Sequence, residues 1–137
     1  MRLVLAGLAT SVAVASGATA QDLPALLCAT NVVMECTRTA GCLEVPAAEV
    51  DVPPFLRIDL TQETVTDPRQ PETVRSVIEA IHAVDGKLIL HGTDPGAPDV
   101  RDGVGWTATI SDQTGEMIAS APGEGVAYLL FGSCMTE

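Results

Sequence analysis

Arg75-Ser76-Val77-Ile78-Glu79-Ala80-Ile81-His82-Ala83-Val84-Asp85-Gly86-Lys87-Leu88-Ile89-Leu90-His91 is the stretch on which the fold turns. Its first half reads two ways. Val74, Val77, Ile78 and Ile81 recur at helical spacing, as in an amphipathic helix between Glu72 and Val84. The same text also reads as a strand from Arg75 to Val84, with Val77, Glu79, Ile81 and Ala83 alternating against Ser76, Ile78, Ala80 and His82. Asp85-Gly86 decides between them. Asp-Gly between two apolar runs marks a tight hairpin, because both turn positions need positive φ. Lys87-Leu88-Ile89-Leu90-His91 is then the return strand, and a helix over Pro71 to Ala80 is the alternative. A two-residue turn also sets the register: Val84 opposite Lys87, His82 opposite Ile89, Ala80 opposite His91.

The same logic runs outward in both directions. Downstream, Gly92 to Gly103 is rich in Asp, Pro and Gly and reads as a loop. Strands follow at Val104 to Ser111, Glu116 to Ser120 and Gly125 to Ser133, separated by Asp112-Gln113-Thr114-Gly115 and Ala121-Pro122-Gly123-Glu124. Upstream, Phe55 to Leu60 alternates, with Leu56, Ile58 and Leu60 on one face. Thr61 to Thr66 continues it or turns back, Asp67 to Pro71 is a loop, and Pro46 to Pro54 is irregular. Asn31 to Thr37 is a strand candidate, and Leu23 to Ala29 a short helical turn capped near Asp22. The expectation is an all-β chain: an antiparallel meander forming a small barrel or sandwich, with one short N-terminal helix. Closure of the last strand on the first would remove the exposed edges.

Met1-Arg2, the apolar run Leu3 to Val14 and the small-x-small ending Ala18-Thr19-Ala20 together have the pattern of a secretory signal peptide over residues 1–20. The run is shorter than the about 20 apolar residues that a bilayer span needs. Cleavage after Ala20 is expected to release residues 21–137 as one periplasmic or secreted domain with no membrane span. An oxidising destination makes Cys28, Cys36, Cys42 and Cys134 two disulfides. Pairing Cys36 with Cys42 closes a short loop that is worth about 2 kcal/mol by chain entropy. Cys28 with Cys134 then closes one of more than 100 residues, worth about 4.7 kcal/mol on the same argument. That pairing is preferred, and Cys28–Cys36 with Cys42–Cys134 stays open. There is no C-x-x-C and no zinc-like ligand spacing.

All 18 acidic residues lie after residue 20 and one of the seven basic ones, Arg2, lies before it, so the remainder carries a net charge of −12. Such a surface repels phosphate backbones, which argues against nucleic acid and for a cationic protein partner or simple solubility. The aromatic residues number only four: Phe55, Trp106, Tyr128 and Phe131. The core must therefore rest on Val, Ile, Leu and Ala, and a filled interior is expected in preference to a cavity.

Candidate chemistry is sparse. His82 and His91 fall on one face of the hairpin as a diagonal pair, which Asp94 or Asp85 could complete as a metal site. Two exposed histidines on a polar face are the commoner outcome. Asp94, Asp99 and Asp102 crowd one loop, yet their spacing is not that of a calcium loop, and Asp favours turns for its own reasons. No G-x-S-x-G is present, and Gly103-Val104-Gly105 leads into a strand where a phosphate cradle would lead into a helix. Trp106 shares a face with Ala108 and Ile110, so it reads first as core and second as a binding anchor. No catalytic, cofactor or metal residue is assigned, and the chain is taken as a non-enzyme.

Cys36 and Cys42 near the start, Gly105-Trp106 in a late strand and Gly132-Ser133-Cys134 at the end together resemble small exported bacterial proteins of uncharacterised function. That resemblance implies no activity. In charge, size and compartment the chain is also similar to the periplasmic β-barrel inhibitors of c-type lysozymes. Their Ser-Ala-Ser-Gly-Ala-Arg-Tyr-like loop compares with Ser120-Ala121-Pro122-Gly123-Glu124-Gly125-Val126-Ala127-Tyr128, which lacks the Arg and carries a Pro. The function expected is therefore a binding or interaction protein with an acidic surface. The alternatives are a small-ligand carrier within a β-barrel and a lysozyme-inhibitor-like protein.

Overall fold

The computed structural model describes residues 23–137, and the signal-peptide reading of residues 1–20 lies outside the described residues. Nine strands follow one another: β1 (Leu26–Thr37), β2 (Gly41–Val45), β3 (Phe55–Asp59), β4 (Thr64–Asp67), β5 (Gln70–Val84), β6 (Lys87–Asp94), β7 (Val104–Ser111), β8 (Glu116–Pro122) and β9 (Val126–Thr136). One 3-10 turn, Ala47–Val50, sits between β2 and β3. Among the described residues no helix is long and apolar enough to cross a membrane. Every pairing is antiparallel, in the order β2-β1-β3-β4-β5-β6-β7-β8-β9, and β9 pairs back onto β1. Eight strands thus close into a barrel, and β2 is an extra strand outside the ring. The barrel, chosen over the sandwich, leaves no edge on the ring itself.

Asp85 and Gly86 both have positive φ, 49° and 70°. The register they impose is the expected one, with Val84 opposite Lys87, His82 opposite Ile89 and Ala80 opposite His91. The rest of β5 departs from simple alternation. The register shifts between Ile78 and Ala80, so Glu79 is the extra residue of a bulge. Ser76 and Ile78 point inward before it and Ile81 after it, which moves the two halves of the strand onto opposite phases. The i, i+3 spacing of Ile78 and Ile81 that imitates a helix is the imprint of this bulge. A second bulge lies in β1 between Thr30 and Val32, where Cys28 precedes it and Val33 follows it on the inner face.

The N-terminal helix expected over Leu23 to Ala29 is not formed; from Leu26 onward this segment is strand. Leu26 to Ala29 pairs with β3 on one side and β9 on the other, so two neighbours hold it extended at once. The loop expected over Asp67 to Pro71 shrinks to a tight turn at Pro68-Arg69, and β6 runs on to Asp94.

Both disulfides join directly opposed residues. Cys36–Cys42 staples the β1–β2 hairpin across Gly41, and Cys28–Cys134 bridges the β1–β9 seam from the inner face. They point to an oxidising compartment. The core lies toward the end of the barrel that carries Leu26, Thr136 and the Asp85-Gly86 turn. There Leu26, Cys28, Leu60, Ile78, Leu90, Ile110 and Met117 form one buried cluster. Glu137 N–H bonds to Ala25 O, Thr61 Oγ1 to Leu23 O, and Asp112 N–H to Gly86 O, which closes that end with its own backbone.

Candidate functional site

The opposite end of the barrel is open. The segment after the 3-10 turn, the first half of β5, the β6–β7 loop, the end of β8 and the start of β9 surround a cavity of about 450 Å³, within the range of small-ligand sites. Side-chain size along the strands explains why the space exists. Inward-facing residues of β8 run Met117, Ala119, Ala121 from the closed end outward, and those of β7 run Ile110, Ala108, Trp106, Val104. On β6 the inward sequence runs Leu88, Leu90, Gly92, Asp94, with Gly92 opposite Trp106. A Cβ at Gly92 would collide with Val77 O and with the indole ring, so glycine is what lets the ring lie across the strand. Large side chains fill the closed half, and alanines leave the open half hollow.

The filled interior expected from composition is therefore only half realised. Ile58, Val65, Ala108 and Met117 form the cavity floor, and they also belong to the buried core. Leu56, Trp106, Ala119, Tyr128 and Leu130 contribute to the walls. Trp106 packs against the core cluster, the first role weighed for it, and also lines the cavity. Its Nε1 is buried with no hydrogen-bond partner among the described residues, as is Thr30 Oγ1.

Polar groups gather at the rim. Arg75 donates from Nη2 to the carbonyl of Asp51 at 2.7 Å and to its carboxylate at 2.9 Å. Ser76 Oγ donates to Asp94 Oδ2 at 3.3 Å, and Asp94 Oδ1 accepts the Gly96 N–H at 2.9 Å. Asp102 Oδ1 accepts the Ala97 N–H at 2.9 Å. Two of the three aspartates expected in the Gly92–Gly103 loop thus serve as turn acceptors, and Asp99 holds a positive φ of 64°. Burial pushes the Tyr128 hydroxyl up from its ordinary value, and the Glu35 carboxylate facing it across the β1–β9 pair adds to the effect.

His82 and His91 lie outside the barrel, exposed, with ring centroids 5.9 Å apart. His91 Nδ1 is 2.9 Å from Thr107 Oγ1, and Asp85 pairs with Lys87 beside the hairpin turn. Among the described residues no three His, Cys, Asp or Glu side chains come together as a metal-binding group. The Ser120–Tyr128 stretch forms the end of β8, the turn at Gly123 to Gly125 and the start of β9. It contributes Ser120, Ala121 and Tyr128 to the cavity lining. Sequence reading missed the cavity itself, although the small residues Gly92, Ala108, Ala119 and Ala121 at inward positions were its visible signal.

Fold and site together define a class: a small disulfide-tied antiparallel barrel with one packed end and one apolar, open mouth. Comparison with known proteins returns no matching family, no matching curated protein and no matching solved structure.

Proposed function

We propose that this chain is an exported, non-enzymatic binding protein that takes a small, largely apolar molecule into the open end of its barrel. The observation that carries the reading is the half-hollow interior, a cavity of about 450 Å³ floored by buried core residues and walled by alanine, leucine and a single tryptophan. Apolar surface facing such a space stays wetted until something displaces the water, and burying it against a ligand is favourable at about 25 cal/mol per Å². The charged groups sit at the rim and the walls below are apolar, as in small-ligand sites. The disulfides, the N-terminal apolar run and the charge of −12 on residues 21–137 fit a soluble life in the periplasm or outside the cell. The acidic exterior then serves solubility in this reading, with no cationic macromolecule required.

The test is titration with the neutral fluorophore N-phenyl-1-naphthylamine, which brightens in apolar surroundings. Saturable one-to-one binding is expected, lost in a folded Ala119→Leu variant whose side chain occupies the cavity. Absence of saturable binding to the unsubstituted protein, or undiminished binding to Ala119→Leu, overturns the reading.

A further inference from the structure

Among the described residues Arg75 is the only cationic side chain lining the cavity, and its side chain is 28 % exposed. Its donors are unevenly used. Both protein contacts of the guanidinium run from Nη2 to Asp51, and among the described residues Nε and Nη1 have no protein acceptor. The acids around it differ in how firmly they are engaged. Asp94 and Asp102 accept hydrogen bonds from the backbone of their own loop, and Asp94 a further one from Ser76. Asp51 has no such anchor for its carboxylate: it is 92 % exposed and reaches Arg75 from across the mouth. An ion pair that exposed is weak and readily exchanged. A guanidinium with unused donors, set in the wall of an apolar cavity and covered by a loosely held carboxylate, has the form of a carboxylate site occupied by a side chain of its own protein.

Resting on the cavity reading above, we infer that the ligand is an amphiphilic monocarboxylic acid whose carboxylate takes the place of the Asp51 carboxylate on Arg75 while its apolar body fills the barrel mouth. The backbone carbonyl of Asp51 keeps its bond to Nη2, so the guanidinium stays oriented during the exchange. The protein's overall negative charge does not forbid this, because charges more than about 8 Å away are largely screened at physiological ionic strength.

Trp106, the only tryptophan of the chain, lines the same cavity and reports its occupancy by fluorescence. Decanoate, decanol and decylamine share one apolar chain and differ in the head group. In titrations of the oxidised protein, decanoate is expected to bind about tenfold more tightly than decanol, the usual scale for a charge-assisted hydrogen bond. Arg75→Gln should abolish that tenfold preference, read as the ratio of decanoate to decanol affinity in the same variant. Asp51→Asn should tighten decanoate binding two- to threefold, roughly, since it removes the competing carboxylate. Equal binding of decanoate and decanol, or tightest binding of decylamine, overturns the carboxylate assignment and leaves the cavity reading standing. Failure of all three to bind overturns both. Unchanged decanoate binding in Asp51→Asn overturns the displacement step, and does so in a variant that leaves the barrel interior untouched.

Discussion

The two ends of this barrel are built from the same strands and differ in what the strands carry inward. At the closed end, Leu26, Leu60, Leu90, Ile110 and Met117 meet around the Cys28–Cys134 bridge, and Leu90 is 0 % exposed. At the open end the inward positions of β7 and β8 include Ala108, Ala119 and Ala121, and Trp106 leans on a glycine. Packed and hollow interior are thereby separated along one axis. Interior volume that would stabilise the open half is left unfilled there, and the closed half supplies the packing.

Substitutions should expose this division, and the largest effect belongs to the seam. Replacing both Cys28 and Cys134 by alanine releases a bridge spanning 106 residues and should cost about 4–5 kcal/mol, against about 2 kcal/mol for the same change at Cys36 and Cys42. Equilibrium urea unfolding of the two double variants measures both, and equal losses would contradict the seam's dominance. Next in size, Leu90→Ala should cost about 3 kcal/mol in the same assay. Leu130→Ala, at the cavity wall, should cost about half as much, because its site already borders open space. If Leu130→Ala proved as damaging as Leu90→Ala, the open end would not be the softer one. Ala119→Leu should change stability by less than about 1 kcal/mol in either direction, since it adds a side chain to empty volume and not to a packed core. A large destabilisation would show that the cavity is closed in solution.

Acid should produce the smallest effect, and it touches both ends. Asp59, beside the closed end, is held below the usual carboxylate range by the Gln62 N–H and then by the Arg57 guanidinium. Asp67, at the β4–β5 turn, is lowered by the Arg69 side chain and then by the Arg69 N–H. A depressed folded-state pKa contributes stability that is complete above the unfolded value, about 3.9, and fades as pH falls through the folded value. The melting temperature should therefore be level toward neutrality and drop below about pH 4. Asp59→Asn and Asp67→Asn should each flatten that drop. A variant that retains the full slope would remove its aspartate from the account.

Local chemistry made part of this structure readable in the sequence. Asp85-Gly86 dictated a turn whose φ values only a few residues tolerate, so the β5–β6 register followed to the residue. Of the two cysteine pairings that the sequence left open, the preferred one is formed, with one short-range bridge and one long-range bridge. What failed was governed by distant partners. Leu26 to Ala29 is extended because β3 and β9 flank it, and neither lies nearby in sequence. Cys42 to Val45 carried no strand signal of its own, with Cys42, Leu43 and Glu44 all exposed; β2 exists because β1 outruns β3 and offers Val33 to Thr37 a vacant edge. The bulge at Glu79 hid the true inward set of β5 behind a helical spacing. The cavity escaped notice because composition counts residue types and not where along a strand the small ones fall.

The seam between β1 and β9 also has a consequence in time. Hairpins along the chain can form as soon as their own residues exist, but the ring needs Leu26–Thr37 to meet Val126–Thr136. Contacts of such long range form slowly. A chain threaded N-terminus first through a narrow passage would carry β1 across with its final partner still on the other side. It would stay an open sheet until its last strand arrived, so closure of the ring waits on Val126–Thr136.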